Sequence, residues 1–351
     1  MPDPTSDRPP RRPRYRGKNP RAFHEKYKEL APQQYPEDVA KVIASGKTPA
    51  GTHRPVMRDE ILAGLAPQAG NIAVDCTLGY GGHASELLTA IQPGGRLIAF
   101  DVDPIELERT EARLRGLNFP TESLVVRRMN FAGVAQVLAT EAPGGADLLL
   151  ADLGVSSMQL DDPTRGFTFK FDGPLDMRMN PTRGRSAADL LQSIDADELA
   201  ELLVEHSEEP HARAIAESIV TGQRNQPVDS TLRLRAIVAG VIERKRSNDP
   251  DAVNDAVRRV FQALRIAVND EFGALDALLR NLPWCLKPGG RVAILTFHSG
   301  EDRRVKQAFR SGLHEGTYSN VSDEVLRPSA EERRSNPRCV SAKLRFATRA
   351  G

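Results

Sequence analysis

Residues 71 to 83, NIAVDCTLGYGGH, run from an apolar stretch through an acidic residue into a glycine-rich turn. Gly79, Gly81 and Gly82 let the backbone approach a ligand at the carboxyl end of a strand without interference from Cβ atoms. A helix opening near His83 then points unpaired N–H groups at that ligand. A second apolar run, RLIAFDVDP, follows about twenty residues on and ends at Asp101, where a carboxylate can accept both hydroxyls of a ribose. The glycines run G-x-G-G, not G-x-G-x-x-G, so no third glycine is placed against a pyrophosphate. The turn by itself also suits a domain with no ligand; Asp101 at the next strand end favours a bound one, and the short glycine turn suits an adenosine-type ligand lacking pyrophosphate, such as S-adenosylmethionine, better than a dinucleotide.

In a parallel sheet, ligands gather at the carboxyl ends of strands, so the residues closing the remaining apolar runs are candidates too. These are Asn130 with Phe131, Asp152 and His298. Phe131 suits either an adenine platform or an ordinary core position. Asp152 closes ADLLLAD and leads into the polar loop LGVSSMQLDD, where a substrate would meet the cofactor. His298 reads either as a base-contacting group or as the hydrogen-bonded end of a strand. The segment from Leu160 to Ala187 is dense in charge and aromatics: Arg165, Lys170, Arg178, Arg183 and Arg185 suit phosphates, and Phe167, Phe169 and Phe171 suit base stacking. The alternating FTFKF fits equally well a short ribbon packing a small core.

Elements able to position these residues are legible from periodicity. Strand-like runs at 71–77, 96–102, 124–129 and 147–152 alternate with helical segments, which means a mostly parallel sheet with helices on both faces, the α/β class. From 160 to 251 strand patterning gives way to apolar residues at helical spacing. A long helix carrying Val253, Val257, Phe261, Leu264, Val268, Phe272, Leu275 and Leu279 on one face then leads to LKPGGRVAILTFHS, a turn and a buried strand. The expected organisation is an N-terminal extension at 1–51, a discontinuous α/β domain at 52–159 and 252–351, and an inserted helical domain at 160–251.

Composition narrows the class. The 351 residues are 40% hydrophobic and 27% charged, and no apolar run approaches the roughly eighteen residues that span a bilayer. Cys76, Cys285 and Cys339 are isolated, with no C-x-x-C pair to suggest zinc or redox work. A cytoplasmic protein with no metal and no membrane partner is expected. Net charge is only +1, yet seven basic and no acidic side chains lie between Arg8 and Arg21 among prolines. That stretch suits either a solubilising tail or an arm lying along phosphates.

Six strings in order, HRPVMRDE (53–60), DCTLGYGGH (75–83), DLGVSSMQLDDPTRGF (152–167), DGPLDMRM (172–179), FQALRIAVN (261–269) and LTFHSGEDR (295–303), resemble the bacterial ribosomal RNA small-subunit methyltransferase H family, also called MraW. NPRCVSAKLR at 336–345 extends the resemblance to the C-terminus. It implies a class I, Rossmann-like methyltransferase with an inserted helical domain, acting with S-adenosylmethionine on the N4 amine of a cytidine in the decoding region of small-subunit ribosomal RNA. The partner is then that RNA, within an assembling or assembled subunit. Carried over by motif, the cofactor contacts are Gly81, Gly82, His83, Asp101, Phe131, Asp152 and Gln159. Asp152, Ser156 and His298 are the candidates for the amine side. Gly300 departs from the family, which usually has leucine there. A nonenzymatic RNA-binding assembly factor that keeps the fold is the alternative.

Overall fold

The computed structural model describes residues 55–245 and 249–351. The basic extension at 1–51, with helical segments anticipated around 23–30 and 37–45, lies outside the described residues. In chain order the first half holds α1 (Arg58–Leu65), β1 (Ile72–Asp75), α2 (Gly82–Ala90), β2 (Arg96–Asp101), α3 (Pro104–Arg115), β3 (Leu124–Arg128), α4 (Val134–Glu141), β4 (Ala146–Asp152) and α5 (Ser157–Asp161). Helices α6 (Ala187–Ser193), α7 (Ala196–Ser207), α8 (Ala212–Asn225), α9 (Thr231–Lys245), α10 (Pro250–Asn269) and α11 (Glu271–Cys285) follow. The chain closes with β5 (Leu286–Thr296), α12 (Ser299–His314), β6 (Tyr318–Val321), α13 (Ala330–Ser335) and β7 (Lys343–Arg349).

The seven strands form one sheet in the order β3-β2-β1-β4-β5-β7-β6, with β1 to β5 parallel and β7 antiparallel to both of its neighbours. Both faces are covered, which is why the central strands read as continuous apolar runs. Alternate residues serve opposite cores: Leu149, Ala151, Val292 and Ile294 join the cluster under α11 and α12, while Leu148, Leu150, Ala293 and Leu295 join the cluster with α1 and α2. Among the described residues no helix is long and apolar enough to cross a membrane.

A third apolar core is helical. It draws Leu175 and Met177, Leu199 and Leu203 of α7, Ile215 and Ile219 of α8, Val238 and Ile242 of α9, and Val253 to Leu264 of α10. Its membership therefore runs past residue 251 and along α10 as far as Leu264.

Two features differ from the periodicity reading. The single long helix is two helices, because Asp270 adopts a left-handed conformation (φ 48°, ψ 45°) that closes α10 and opens α11. The break re-aims one continuous apolar pattern: Val253, Val257, Phe261 and Leu264 face the helical core, whereas Leu275, Leu278, Leu279 and Leu282 face the sheet. The β6–β7 pair is also new, because Lys343, Arg345 and Arg349 disguise KLRFATR as a surface segment. Arg345 is in fact buried, held by Asp302 at 2.7 Å from α12.

Gly300 is closely packed. A Cβ there would lie 2.7 Å from Phe272 Cζ and 3.3 Å from His298 Nδ1, and Phe272 is itself held under the Arg304 guanidinium, 3.8 Å from the ring centroid. The phenylalanine fills the space a larger residue at 300 would need. Gly300→Leu is therefore expected to destabilise the fold by about 1–3 kcal/mol through overpacking, and Phe272→Ala in the same chain to recover part of that loss. Urea unfolding of the single and double variants checks this; an unchanged midpoint for Gly300→Leu contradicts the packing account.

Candidate functional site

The glycine turn is built by backbone geometry that few other residues tolerate. Gly79 and Gly81 have φ of +46° and +69°, and a Cβ on Gly81 would lie 2.8 Å from Thr110 Cγ2 and 3.2 Å from Arg113 Nη2. At Gly79, by contrast, a Cβ would meet only Thr77 O at 3.8 Å, so that side of the turn is open. Helix α2 begins at Gly82, and its N-cap Gly81 offers no side-chain cap. The first N–H groups of the helix are thus left for a ligand carboxylate, and the helix dipole favours one there.

Asp101 closes β2 and faces this turn. Its Oδ2 accepts from Gly79 N–H at 2.6 Å and its Oδ1 from Asp103 N–H at 2.8 Å. Each oxygen keeps a lone pair for a ribose hydroxyl. Phe131 follows Asn130, whose side chain caps the short turn after β3, and is half-buried against the core under α4.

The crevice between the ends of β1 and β4 is lined by the buried Asp75, the part-exposed Asp152 and the imidazole of His83. The Asp152 backbone N–H donates to Thr77 Oγ1 at 2.7 Å, which ties β4 to the glycine turn. His83 Nε2 lies 3.6 Å from Asp152 Oδ2 and, although buried, has no hydrogen-bond partner among the described residues. Burial, and then the nearby Arg58, push the His83 pKa down to about 4, so the imidazole is neutral near pH 7. The Asp152 carboxyl is pushed up to about 8 by burial, with Asp75 and Glu301 adding repulsion. Asp75 is pushed up to about 7, again chiefly by burial. Orphaned polar atoms and reluctantly ionised acids beside an open glycine turn fit a ligand that brings its own positive charge and hydrogen-bonding groups.

Gln159 and Ser156 belong to one capping box. Ser156 Oγ accepts from Gln159 N–H and Gln159 Oε1 accepts from Ser156 N–H, at 3.1 and 2.9 Å, fixing the start of α5 just after Asp152. Gln159 Nε2 donates to Asp103 Oδ2 at 2.8 Å. His298 is the N-cap of α12: its Nδ1 accepts from Glu301 N–H at 3.4 Å, and its Nε2 sits 3.2 Å from Glu301 Oε1 without hydrogen-bond alignment. Burial alone would raise Glu301, but the His298 contact, Arg265 and the Phe297 N–H carry its carboxyl below the usual range. Glu271, His298 and Glu301 bring ligand-type atoms within 4.8 Å of one another. Both oxygens of Glu271 are already taken by Arg265, at 2.7 and 2.8 Å, so this charge is balanced inside the protein.

The structure corrects the phosphate and stacking readings of the segment after Asp161. Arg165 is buried and paired with Asp103 at 2.8 Å; Arg178 forks onto Asp176; Arg185 donates to Asp189 O. The hydrogen bonds available inside the fold claim Arg165 and Arg178, while Lys170, Arg183 and Arg185 stay exposed. Phe167 belongs to the helical core and Phe169 packs edge-on against Phe261 at 5.3 Å, so only Phe171, 48% exposed, keeps a free face. Residues 167–171 form no ribbon. Asp103, Asp75 and Thr77 are site residues that periodicity missed. Asp103 carried a signal in D-x-D-P, an acid placed to cap the next helix, and its Oδ1 does accept from Ile105 N–H.

A sheet of this order with one antiparallel strand beside the last parallel one, and a glycine turn and acidic strand end at β1 and β2, defines a class I methyltransferase that uses S-adenosylmethionine. The family model described as MraW methylase matches residues 50–350, and the chain belongs to that family. It is 47% identical over 352 residues to ribosomal RNA small subunit methyltransferase H 1 of Lachnoclostridium phytofermentans, covering 99% of this chain and 96% of the relative. It is also 47% identical to ribosomal RNA small subunit methyltransferase H 2 of Alkaliphilus metalliredigens, with 97% of each chain covered. The Thermomicrobium roseum relative, ribosomal RNA small subunit methyltransferase H, is 42% identical and covers 85% of this chain and 94% of its own. The match to the first relative thus extends into the basic N-terminal stretch.

Two outcomes follow from this geometry. Asp101→Ala removes a charged acceptor and the partner of Gly79 N–H, and is expected to weaken S-adenosylmethionine binding by about 1.5–3 kcal/mol; calorimetric titration of the folded variant measures it, and wild-type affinity would rule out the ribose contact. Cofactor affinity also depends on pH. Asp75 and Asp152 bind protons below about 7 and 8 in the free protein, and a sulfonium cation favours their ionised forms, so binding releases protons and strengthens as pH rises through that window. S-adenosylhomocysteine, which lacks the positive sulfur, serves as control: the affinity ratio of the two ligands should rise between about pH 6 and 8.5, and a flat ratio contradicts the assignment.

Proposed function

We propose that the chain methylates the N4 amine of a cytidine in the decoding region of small-subunit ribosomal RNA, on the subunit or a precursor of it. The observation that carries this reading is the crevice at the end of β4, where the Asp152 carboxyl and the neutral His83 imidazole stand beside the cofactor turn. The ordered strings from 53 to 345 and the names of the relatives support ribosomal RNA as substrate. The chemistry of the cysteines supports an amine over ring carbon: Cys76, Cys285 and Cys339 are all buried, with thiols raised by burial, so none serves as the covalent nucleophile that carbon-5 methylation uses.

S-adenosylmethionine supplies a methyl group on a sulfonium, which needs no acid to assist its leaving group. The remaining work is orientation and proton removal. Gly79 to Gly82 and the start of α2 hold the amino-acid end, and Asp101 holds the ribose. Phe131 flanks the adenine, and Gln159 braces the wall next to Asp152. The cytosine amine lone pair is delocalised into its ring, so it must be drawn out by acceptors for its N–H bonds. Asp152 Oδ2 is the acceptor in the crevice and takes the amine proton as the N–C bond forms. Ser156, which caps α5, and His298, which caps α12, complete the amine side. Residues 160–251 serve as the RNA-recognising insertion.

Nucleoside mass spectrometry of small-subunit RNA from wild-type and deletion strains tests the reading. Loss of N4-methylcytidine on deletion, restored by the wild-type gene and not by Asp152→Ala, is expected. An undiminished signal in the deletion strain overturns it, and a signal restored by Asp152→Ala removes Asp152 from the amine side.

A further inference from the structure

One buried ion pair joins the cofactor side of the molecule to the segment that leads into the helical core. Asp103 stands two residues beyond Asp101, its side chain 1% exposed, and Arg165 is 9% exposed. Asp103 Oδ2 accepts from both Arg165 Nη1 and Gln159 Nε2, each at 2.8 Å, while Oδ1 caps α3. The other end of the Arg165 fork, Nη2, donates to the carbonyls of Met179 at 2.8 Å and Arg178 at 3.2 Å. Met179 N–H then donates to Asn269 Oδ1, and Asn269 Nδ2 to Met177 O, which carries the contact to the end of α10.

The segment held this way has no slack. Gly166 has φ +76°, with Pro174 O 2.5 Å from where its Cβ would be, and a Cβ on Gly173 would overlap Pro163 O at 2.0 Å. Pro174 and Leu175 are pinned in turn to Asp229 and Ser230 before α9. A shift of the β2–α3 turn is therefore passed through Arg165 to residues 163–180 as a unit. Lysine cannot replace this arrangement, because only a planar guanidinium reaches a carboxylate on one edge and two carbonyls on the other.

We propose that Arg165 is a positioning residue that couples the two substrates, so that cofactor seated against Asp101 and Gln159 and RNA seated against the exposed Lys170 and Phe171 of the segment it holds each strengthen the binding of the other. This rests on the RNA-methyltransferase reading above. It differs from a purely structural role in one measurable respect: the benefit is reciprocal, and the same factor appears whichever ligand is added first.

The test uses full-length protein, small-subunit RNA from a deletion strain and S-adenosylhomocysteine as the unreactive cofactor form. Wild-type protein is expected to bind RNA at least about fivefold more tightly with the cofactor form present, and the cofactor form more tightly by the same factor with RNA present. In Asp103→Asn, which keeps the shape and the helix cap, and in Arg165→Met, the factor should fall to about one, with Arg165→Lys recovering only part of it. Near-ultraviolet circular dichroism and thermal unfolding establish that each variant is folded. A wild-type factor of one overturns the proposal whatever the variants do, as does a folded Asp103→Asn that keeps the wild-type factor. If wild-type protein methylates the RNA but shows no coupling, only this inference fails; if it neither binds nor methylates the RNA, the proposed function fails with it.

Discussion

Everything in the site depends on the parallel pairing of β1 with β4 at the middle of the sheet, where Asp75 lies opposite Leu150. Strands β2 and β3 are added outward from β1 and β5 outward from β4, so the connections diverge at that pair and leave a crevice above it. Into this crevice the chain sends the glycine turn from one side and the loop after Asp152 from the other. The hydrogen bond from Asp152 N–H to Thr77 Oγ1 closes the two strand ends together. Remove the pairing and the turn, Asp152 and the start of α5 have no common frame.

Burial in that crevice explains the charge states. Asp75 and Asp152 sit on adjacent strands with no cation bonded to either carboxyl among the described residues, so each holds its proton to an unusually high pH. Elsewhere the fold supplies partners for buried carboxylates: Arg165 for Asp103, Arg265 for Glu271 and Arg345 for Asp302. The contrast is what supports the proposal that a positive ligand takes the place of a protein partner in the crevice. A buried charge left unpaired is costly, and a cationic cofactor offsets that cost on binding.

The same economy of charge organises the connection between sheet and helical core. Arg165, Arg178 and Arg185 sit in a segment that looks like a phosphate-binding arm, yet each satisfies carboxylates or carbonyls close at hand. Their contribution is to hold residues 161–189 in one conformation against both the cofactor-binding strand ends and α10. Arg338 does comparable work from the C-terminal side, donating to Asp161 at the end of α5 at 2.6 Å.

The sequence by itself determined the strand-turn-helix succession at 71–90, the acids closing β2 and β4, and the alternation that makes the sheet parallel. These are local patterns: apolar period, glycine spacing and residue order are set within a dozen positions. Only the tertiary structure decided which charges are free. Arg165 meets Asp103 across 62 positions, Arg345 meets Asp302 across 43, and Met57 N–H meets Glu332 across 275, and no periodicity encodes such pairings. The break at Asp270 was hidden for a related reason, since an apolar stripe reads the same whether it faces one core or two in succession. Phe167 and Phe169 were ambiguous because an aromatic stripe suits a core and a base equally, and what settled them was the helical core to which Phe261 belongs, nearly a hundred positions on. Side-chain chemistry is written in the sequence; its partner, and so its availability for function, is fixed by where the chain returns.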